Sequence, residues 1–356
     1  MRILLVADRS AGHIYPAWIL AKAFKENNKV YIFLTSNYFK NWLRKEGFLV
    51  LGRELPFRNI VLEMAYRVIE GLVVFLKTRP QRVIGFGGRA TIFLIILSSF
   101  FSCTAIYEPN STIGKANSVL GFFVKKIYWG FNPWEISKMI ERKTIKVGIP
   151  IRSCCKRWSK EEARKILGLH PWKPVVFCFG GSQGSRFINN VFKRLLEESK
   201  IDFQVIHLTG QRDYSYFKDF YGKIFKKNYL VKDFSWEVGL FYSASDILIS
   251  RAGALTCAEV SYYKILPLFI PYPQSSQHQE KNALYFVQHR AGYSFSQRNF
   301  SFQNFKVAFE KILTDSLLQK RVKERLGALN LWVDESEFCN KFLPFVANIQ
   351  EPCSNS

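Results

Sequence analysis

Short apolar runs alternate along this chain with longer segments whose apolar residues recur every three or four positions. The runs fall at 2–7, 30–35, 82–88, 104–110, 174–186, 204–210, 229–234, 246–250 and 267–271, and several break off into glycines or polar residues. They are apolar without alternation, as for strands buried on both faces of a parallel sheet. Between them lie helical stretches such as 14–24 and 57–77, the latter carrying Ile60, Met64, Val68, Leu72 and Phe75 at close to a helical period. Two successive sets of such strand–helix units predict an α/β protein of two doubly wound, Rossmann-like domains facing across a cleft. The charged, helix-prone stretch 154–173 is placed as the linker, so the first domain is read as 1–152 and the second as 153–338.

Two apolar segments invite a membrane reading. The first residues, 1–7, are a short run that stops at Asp8 and lacks a cleavable signal. The run 92–106 is interrupted by Ser98, Ser99 and Thr104, and it falls short of the ~20 residues a span requires. It reads as a buried helix followed by a strand. The 57–77 stripe is flanked by Arg58, Arg67, Lys77, Arg79 and Arg82. It is either a core-facing helix with a solvated basic face or an interfacial helix whose apolar side dips into lipid.

With 356 residues and 48% hydrophobic content, the chain can build two cores. The seven cysteines are odd in number and show no zinc-type spacing, which fits reduced thiols and no metal site. Charge changes the picture more. The net charge is +23, and residues 1–150 hold 22 Lys and Arg against 9 Asp and Glu. This excess calls for a polyanionic partner, an anionic lipid surface or nucleic acid.

The chemistry concentrates in 250–284. There a strand ends at Ser250, turns through Ala252, Gly253 and Ala254, and opens a helix holding Thr256 and Glu259. Such a turn aims free backbone N–H groups at one point, which favours a diphosphate. Glu259, one helical turn in from Leu255, can offer two oxygens to a ribose diol. The exit of the next strand carries Gln277, His278, Gln279 and Asn282 to the same rim. Without chemistry, the same residues are an ordinary strand–helix–strand unit with a polar loop. GGSQG at 180–184 is a second glycine loop, without the lysine of a P-loop. Asp8 to His13 and the glycines of 85–88 form two more turns in the first domain. A histidine beside a helix start is often a packing residue, and Glu108 and Asn110 alone would pass for turn formers.

GALTCAEV, PLFIPYP and HQEKNAL in 250–284 resemble the donor-site segment of the MurG family of N-acetylglucosaminyltransferases, and GGSQG matches the family closely. The resemblance covers nearly the whole chain. In the first loop Gly12 and His13 match, Ser10 stands for the family's threonine, and Asp8, Arg9 and Ala11 replace glycines, with Asp8 placed to repel a phosphate. Glu108, Asn110 and Asn117 match the family's Glu-x-Asn and later Asn; 147–152 matches its Val-Gly-Asn-Pro-Val-Arg, with Ile149 for Asn. The departures are Arg89 to Thr91, and Ser235, Trp236 and Glu237 where the family has an apolar residue followed by acidic ones near the nucleobase.

The resemblance implies the GT-B fold, with the residues from about 339 returning to the first domain. It implies inverting transfer of N-acetylglucosamine from UDP-N-acetylglucosamine to the muramyl 4-hydroxyl of an undecaprenyl-diphosphate-linked acceptor. No cofactor and no required metal are expected, because helix N-termini can offset charge on the departing UDP. The implied place is the cytoplasmic face of the cell membrane, against its anionic surface, with no nucleic acid. His13 or Glu108 would be the base. Ser10, Asn110, Arg152, Ser182, Gln183, Gly184, Ser235, Ala254, Leu255, Thr256, Glu259, His278 and Gln279 would bind the donor. Three alternatives stand beside this reading. They are a related transferase for another nucleotide sugar or lipid, a non-catalytic basic lipid- or nucleic-acid-binding module, and a dinucleotide oxidoreductase, the last disfavoured because no strand leads into a clean GxGxxG. The tail 351–356 is read as disordered.

Overall fold

The computed structural model describes residues 1–8, 11–55, 59–133, 136–153, 155–181, 183–224, 229–273 and 278–347. Ser10, Phe57, Arg58, Ser182, Gln277 and the 351–356 tail, for which expectations were stated, lie outside them. The chain divides into two compact units, Met1–Pro150 with Val333–Ser356, and Ile151–Trp332.

The first unit alternates in order β1 (Arg2–Val6), α1 (Ala11–Phe24), β2 (Lys29–Phe33), α2 (Asn37–Lys45), β3 (Leu49–Leu51), α3 (Ile60–Thr78), β4 (Arg82–Gly85), α4 (Ile92–Ser99), β5 (Cys103–Glu108), α5 (Lys115–Phe123), β6 (Lys126–Trp129), α6 (Lys138–Lys143), β7 (Thr144–Lys146) and β8 (Ile149–Pro150). Strands β1 to β7 form one sheet in the order β3-β2-β1-β4-β5-β6-β7, every pairing parallel. Ile3, Leu4, Leu5 and Val6 of β1 are fully buried, which is why the run shows no polar alternation.

The second unit runs α7 (Lys160–Ile166), β9 (Val175–Phe179), α8 (Arg186–Glu198), β10 (Gln204–Leu208), α9 (Tyr214–Ile224), β11 (Tyr229–Lys232), α10 (Val238–Ala244), β12 (Ile247–Ser250), α11 (Ala254–Tyr263), β13 (Leu266–Phe269), α12 (His278–Gln288), β14 (Tyr293–Ser294), α13 (Phe302–Thr314) and α14 (Ser316–Ala328). Its sheet, again parallel, is ordered β11-β10-β9-β12-β13-β14. Then come β15 (Trp332–Val333) and α15 (Glu335–Ala347). The last helix rejoins the first unit for a packing reason. Its Phe338, Phe342 and Phe345 enter the core beside β1 and β5, and the Phe342 ring lies 4.0 Å from that of Tyr128.

Both sheets reverse their winding once, between β1 and β4 and between β9 and β12. In open parallel sheets, ligands bind outside the strand ends at that reversal. The four loops concerned are those in which the sequence places its glycine turns and candidate residues.

Helix α3 inverts the usual amphipathic arrangement. Its inward positions are Glu63, Arg67, Gly71, Val74 and Thr78, while Met64, Val68 and Leu72 of the apolar stripe face outward with Val61, Leu62 and Ile69. The core-facing reading of that stripe is therefore corrected. No described helix is long and apolar enough to cross a membrane.

Candidate active site

At the first reversal, helix α1 begins at Ala11, so Gly12 and His13 lie in its first turn instead of in a preceding loop. A side chain at Gly87 would meet His13 Nε2 at 3.4 Å and Asn117 Nδ2 at 3.6 Å, so imidazole and amide both lie against the second glycine turn. Asp8 packs on Gly88, where a Cβ would come within 2.2 Å of the Asp8 Cβ; Gly88 also holds φ at +103°, a conformation that suits glycine. The Asp8 carboxylate accepts the Thr35 hydroxyl at 2.5 Å, a partner at the exit of β2 that spacing did not reveal.

Glu108 is 2% exposed and its two oxygens accept four hydrogen bonds. Oε1 takes the Asn110 backbone N–H (3.0 Å) and side-chain amide (2.8 Å), while Oε2 takes the Gly114 N–H (2.8 Å) and the Asn117 amide (2.9 Å). A carboxylate has about four lone-pair directions, so none is left for a substrate hydroxyl. Glu108 and Asn110 shape the turn after β5, which weighs against Glu108 as base and against a donor contact from the Asn110 amide.

At the second reversal a cavity of about 530 Å³ is lined by Gly180, Gly181, Gln183, Gly184, Arg186, Arg212, Arg251 and Gln279, among others. Gln183, Gly184 and Gln279 are thus brought together as expected. Ala254, Leu255 and Thr256 form the half-buried first turn of α11, ahead of its first helical bond, from the Cys257 N–H to the Gly253 carbonyl (2.9 Å). Gln279 Oε1 accepts the Tyr272 N–H (3.0 Å), and Asn282 ties α12 to the turn by donating to the Ala252 carbonyl (3.1 Å). His278 opens α12 beside Gln279.

Arginines supply the charge here, and spacing did not single them out. Arg251 follows β12 directly and donates to the carbonyls of Ile270 (2.8 Å) and Pro271 (3.1 Å), to Gln297 (2.7 Å) and to Ser185 (2.7 Å). Burial brings its guanidinium down to about 10, so it remains charged at neutral pH. A charged residue immediately after the buried strand Ile247–Ser250 was the available signal.

Glu259 is 3% exposed and already engaged. Oε1 accepts Arg152 Nη2 at 2.6 Å and Nε at 3.2 Å, and Oε2 accepts the Tyr242 hydroxyl at 2.9 Å. Burial, with the Glu259 carboxylate adding to it, pushes the Tyr242 phenol well above its usual range, so it stays a donor. Both oxygens expected to meet a ribose diol are therefore occupied, and the structure joins Glu259 and Arg152 in one pair. Ser235 accepts the Glu237 N–H at 3.1 Å, between the exposed rings of Phe234 and Trp236, which meet edge to face at 5.0 Å.

Residues 175–330 match the glycosyltransferase family 28 C-terminal domain. The UDP-N-acetylglucosamine–N-acetylmuramyl-(pentapeptide) pyrophosphoryl-undecaprenol N-acetylglucosamine transferase of Aquifex aeolicus is 34% identical over an alignment of 291 residues that covers 77% of this chain and 81% of that one. The chain belongs to the MurG family of glycosyltransferases. The MurG-type transferase of Caldanaerobacter subterraneus is 28% identical and aligns with 93% of this chain and 96% of its own. Acinetobacter baumannii MurG superimposes with a TM-score of 0.78 over 97% of this chain and 100% of that structure, at 18% identity, which bears on the fold. The GT-B expectation of two Rossmann-like domains is met.

Proposed function

We propose that the chain moves N-acetylglucosamine from UDP-N-acetylglucosamine to the muramyl 4-hydroxyl of undecaprenyl-diphosphate-linked N-acetylmuramyl-pentapeptide, with inversion, in peptidoglycan synthesis. The observation that carries this reading is the second reversal, where a glycine loop, a helix N-terminus and an arginine-rich cavity converge in a chain of the MurG family. Gln183, Gly184 and the amides of Ala254, Leu255 and Thr256 take the donor diphosphate. Gln279, with His278 beside it, takes the sugar hydroxyls. The Arg152–Glu259 pair serves the ribose end, Glu259 exchanging the bond it now accepts from Tyr242.

His13 is the base in this reading. As the acceptor oxygen bonds to the anomeric carbon, the bond from that carbon to the β-phosphate oxygen breaks, the hydroxyl proton passes to the imidazole and the extra negative charge leaves on UDP. A side chain with an ordinary pKa of about 6.5 suits this task at neutral pH.

The acceptor's lipid places the enzyme at the cytoplasmic face of the membrane. Support comes from the outward apolar face of α3, with Ile69 62% exposed, and from the exposed Phe101 in the turn after α4 and Phe122 in α5. Lys77 and Arg79 at the end of α3, and Lys125 and Lys126 at the start of β6, can meet anionic headgroups.

A radiolabel transfer assay with lipid-linked acceptor tests the reading. Transfer from UDP-N-acetylglucosamine that persists in EDTA is expected. Faster transfer from another UDP-sugar, or none to the muramyl lipid, would point to a related transferase.

A further inference from the structure

Three guanidinium groups line the 530 Å³ cavity, and two of them are spoken for. Arg251 is spent on the four acceptors already named. Arg186 donates through Nε and Nη2 to Asp213 Oδ1, both at 3.1 Å. The other Asp213 oxygen accepts the Asn189 amide at 2.9 Å, so this carboxylate, although next in sequence to Arg212, is turned toward α8. Among the described residues no carboxylate or carbonyl pairs with Arg212.

The backbone holds Arg212 at the cavity with little slack. A Cβ on Gly184 would fall 2.3 Å from the Thr209 carbonyl oxygen, and one on Gly210 would fall 2.6 Å from the Gly184 Cα, so the loop after β10 is pressed onto the loop after β9. Both glycines have positive φ, +74° and +80°. Behind them a buried chain of hydrogen bonds runs from Asp213 through Asn189 to His207 (3.1 Å) and on to Tyr221 (2.9 Å). A residue on a loop fixed from two sides, facing a cavity with an uncommitted cation, is placed to receive an anion rather than to stabilise the fold.

We propose that Arg212 binds the diphosphate of the donor and offsets the charge that gathers on the β-phosphate as the bond to the anomeric carbon breaks. The assignment rests on the transferase reading for the identity of the donor, and it adds a residue that neither the glycine loops nor the α11 amides supply. A fixed cation at a developing negative charge acts most strongly in the transition state, so turnover should suffer more than donor affinity.

The test compares wild type with Arg212→Ala and Arg212→Lys, measuring affinity for UDP and for uridine, and transfer kinetics. In Arg212→Ala, UDP affinity is expected to fall roughly tenfold and kcat a further tenfold or more, with uridine affinity unchanged and Arg212→Lys restoring part of both. Equal losses for uridine and UDP, or changes under twofold throughout, would overturn the assignment. If the wild type binds UDP but transfers no N-acetylglucosamine, the proposed function fails while the UDP-to-uridine comparison still decides Arg212. A wild type that does not bind UDP sinks both.

Discussion

The two winding reversals occupy equivalent places in two parallel sheets and carry opposite electrostatics. At β9 and β12 the glycine loop is ringed by Arg186, Arg212 and Arg251 and adjoined by the N-terminus of α11, an arrangement that attracts an anion. At β1 and β4 the corresponding turns hold the Asp8 carboxylate and His13 against Gly88 and Gly87, with the Glu108 carboxylate at the end of the neighbouring β5. A phosphate entering there would meet Asp8, whereas a histidine beside it can receive a proton. The lesson is that topology supplies the location and side chains decide what charge it presents to a ligand.

Acid is the strongest means of breaking this contrast. Burial drives His207 down from 6.5 to about 3, so the native state keeps it neutral while the unfolded chain protonates below about 6.5. The unfolded state then binds more protons, and stability is complete above pH 6.5 and falls progressively toward pH 3. The loss is expected to reach about 3 kcal/mol by pH 4.5. His207→Gln, which keeps one donor and one acceptor, should remove one proton's worth of that slope in denaturant titrations at pH 7 and 4.5. An unchanged slope would remove His207 from the frame that holds the Arg212 loop.

Next in size is His13→Ala. Transfer at saturating donor is expected to fall about a hundredfold, the scale of a lost general base, with UDP affinity intact. A loss under threefold would leave the first reversal without its chemical role. The converse experiment is Glu259→Ala, for which UDP affinity should weaken roughly tenfold through the loss of charge-assisted hydrogen bonds. Calorimetry should also show lower thermal stability, since the part-buried Arg152–Glu259 ion pair is lost. Unchanged UDP binding would confine the pair to the fold.

The smallest effect concerns the first unit's surface. Ile69→Asp should weaken binding to anionic vesicles several-fold, and the remaining attachment should decline with salt as screening shortens to about 8 Å. Binding that ignores both the substitution and the headgroup charge would detach α3 from the membrane.

Much of this was legible in the residues. Apolar runs of strand length with glycine exits specified parallel strands, because a strand covered on both faces admits no polar alternation. GALTCAEV and GGSQG, through their resemblance to the family, marked the two turns proposed to take the donor, where close backbone approach to a diphosphate would restrict which residues can stand. Arg212 and Arg251 stayed hidden. Arginine is common in a chain of this charge, and whether a guanidinium is spent on carbonyls or left facing a cavity depends on acceptors distant in sequence, such as Ile270 and Gln297 for Arg251.

The α3 stripe shows the same division between sequence and structure. Its period determined a helix with one apolar side, but periodicity reports which residues share a face and not what that face meets. The tertiary structure turned Glu63 and Arg67 inward and the stripe outward. Likewise, Glu259 was identifiable one turn into a helix, while the partners that occupy its oxygens come from Arg152, 107 positions earlier, and Tyr242, 17 positions earlier. Local spacing determines elements and turns because those depend on neighbours in the chain. Charge pairing and exposure depend on which elements pack together, and the packed structure alone decides that.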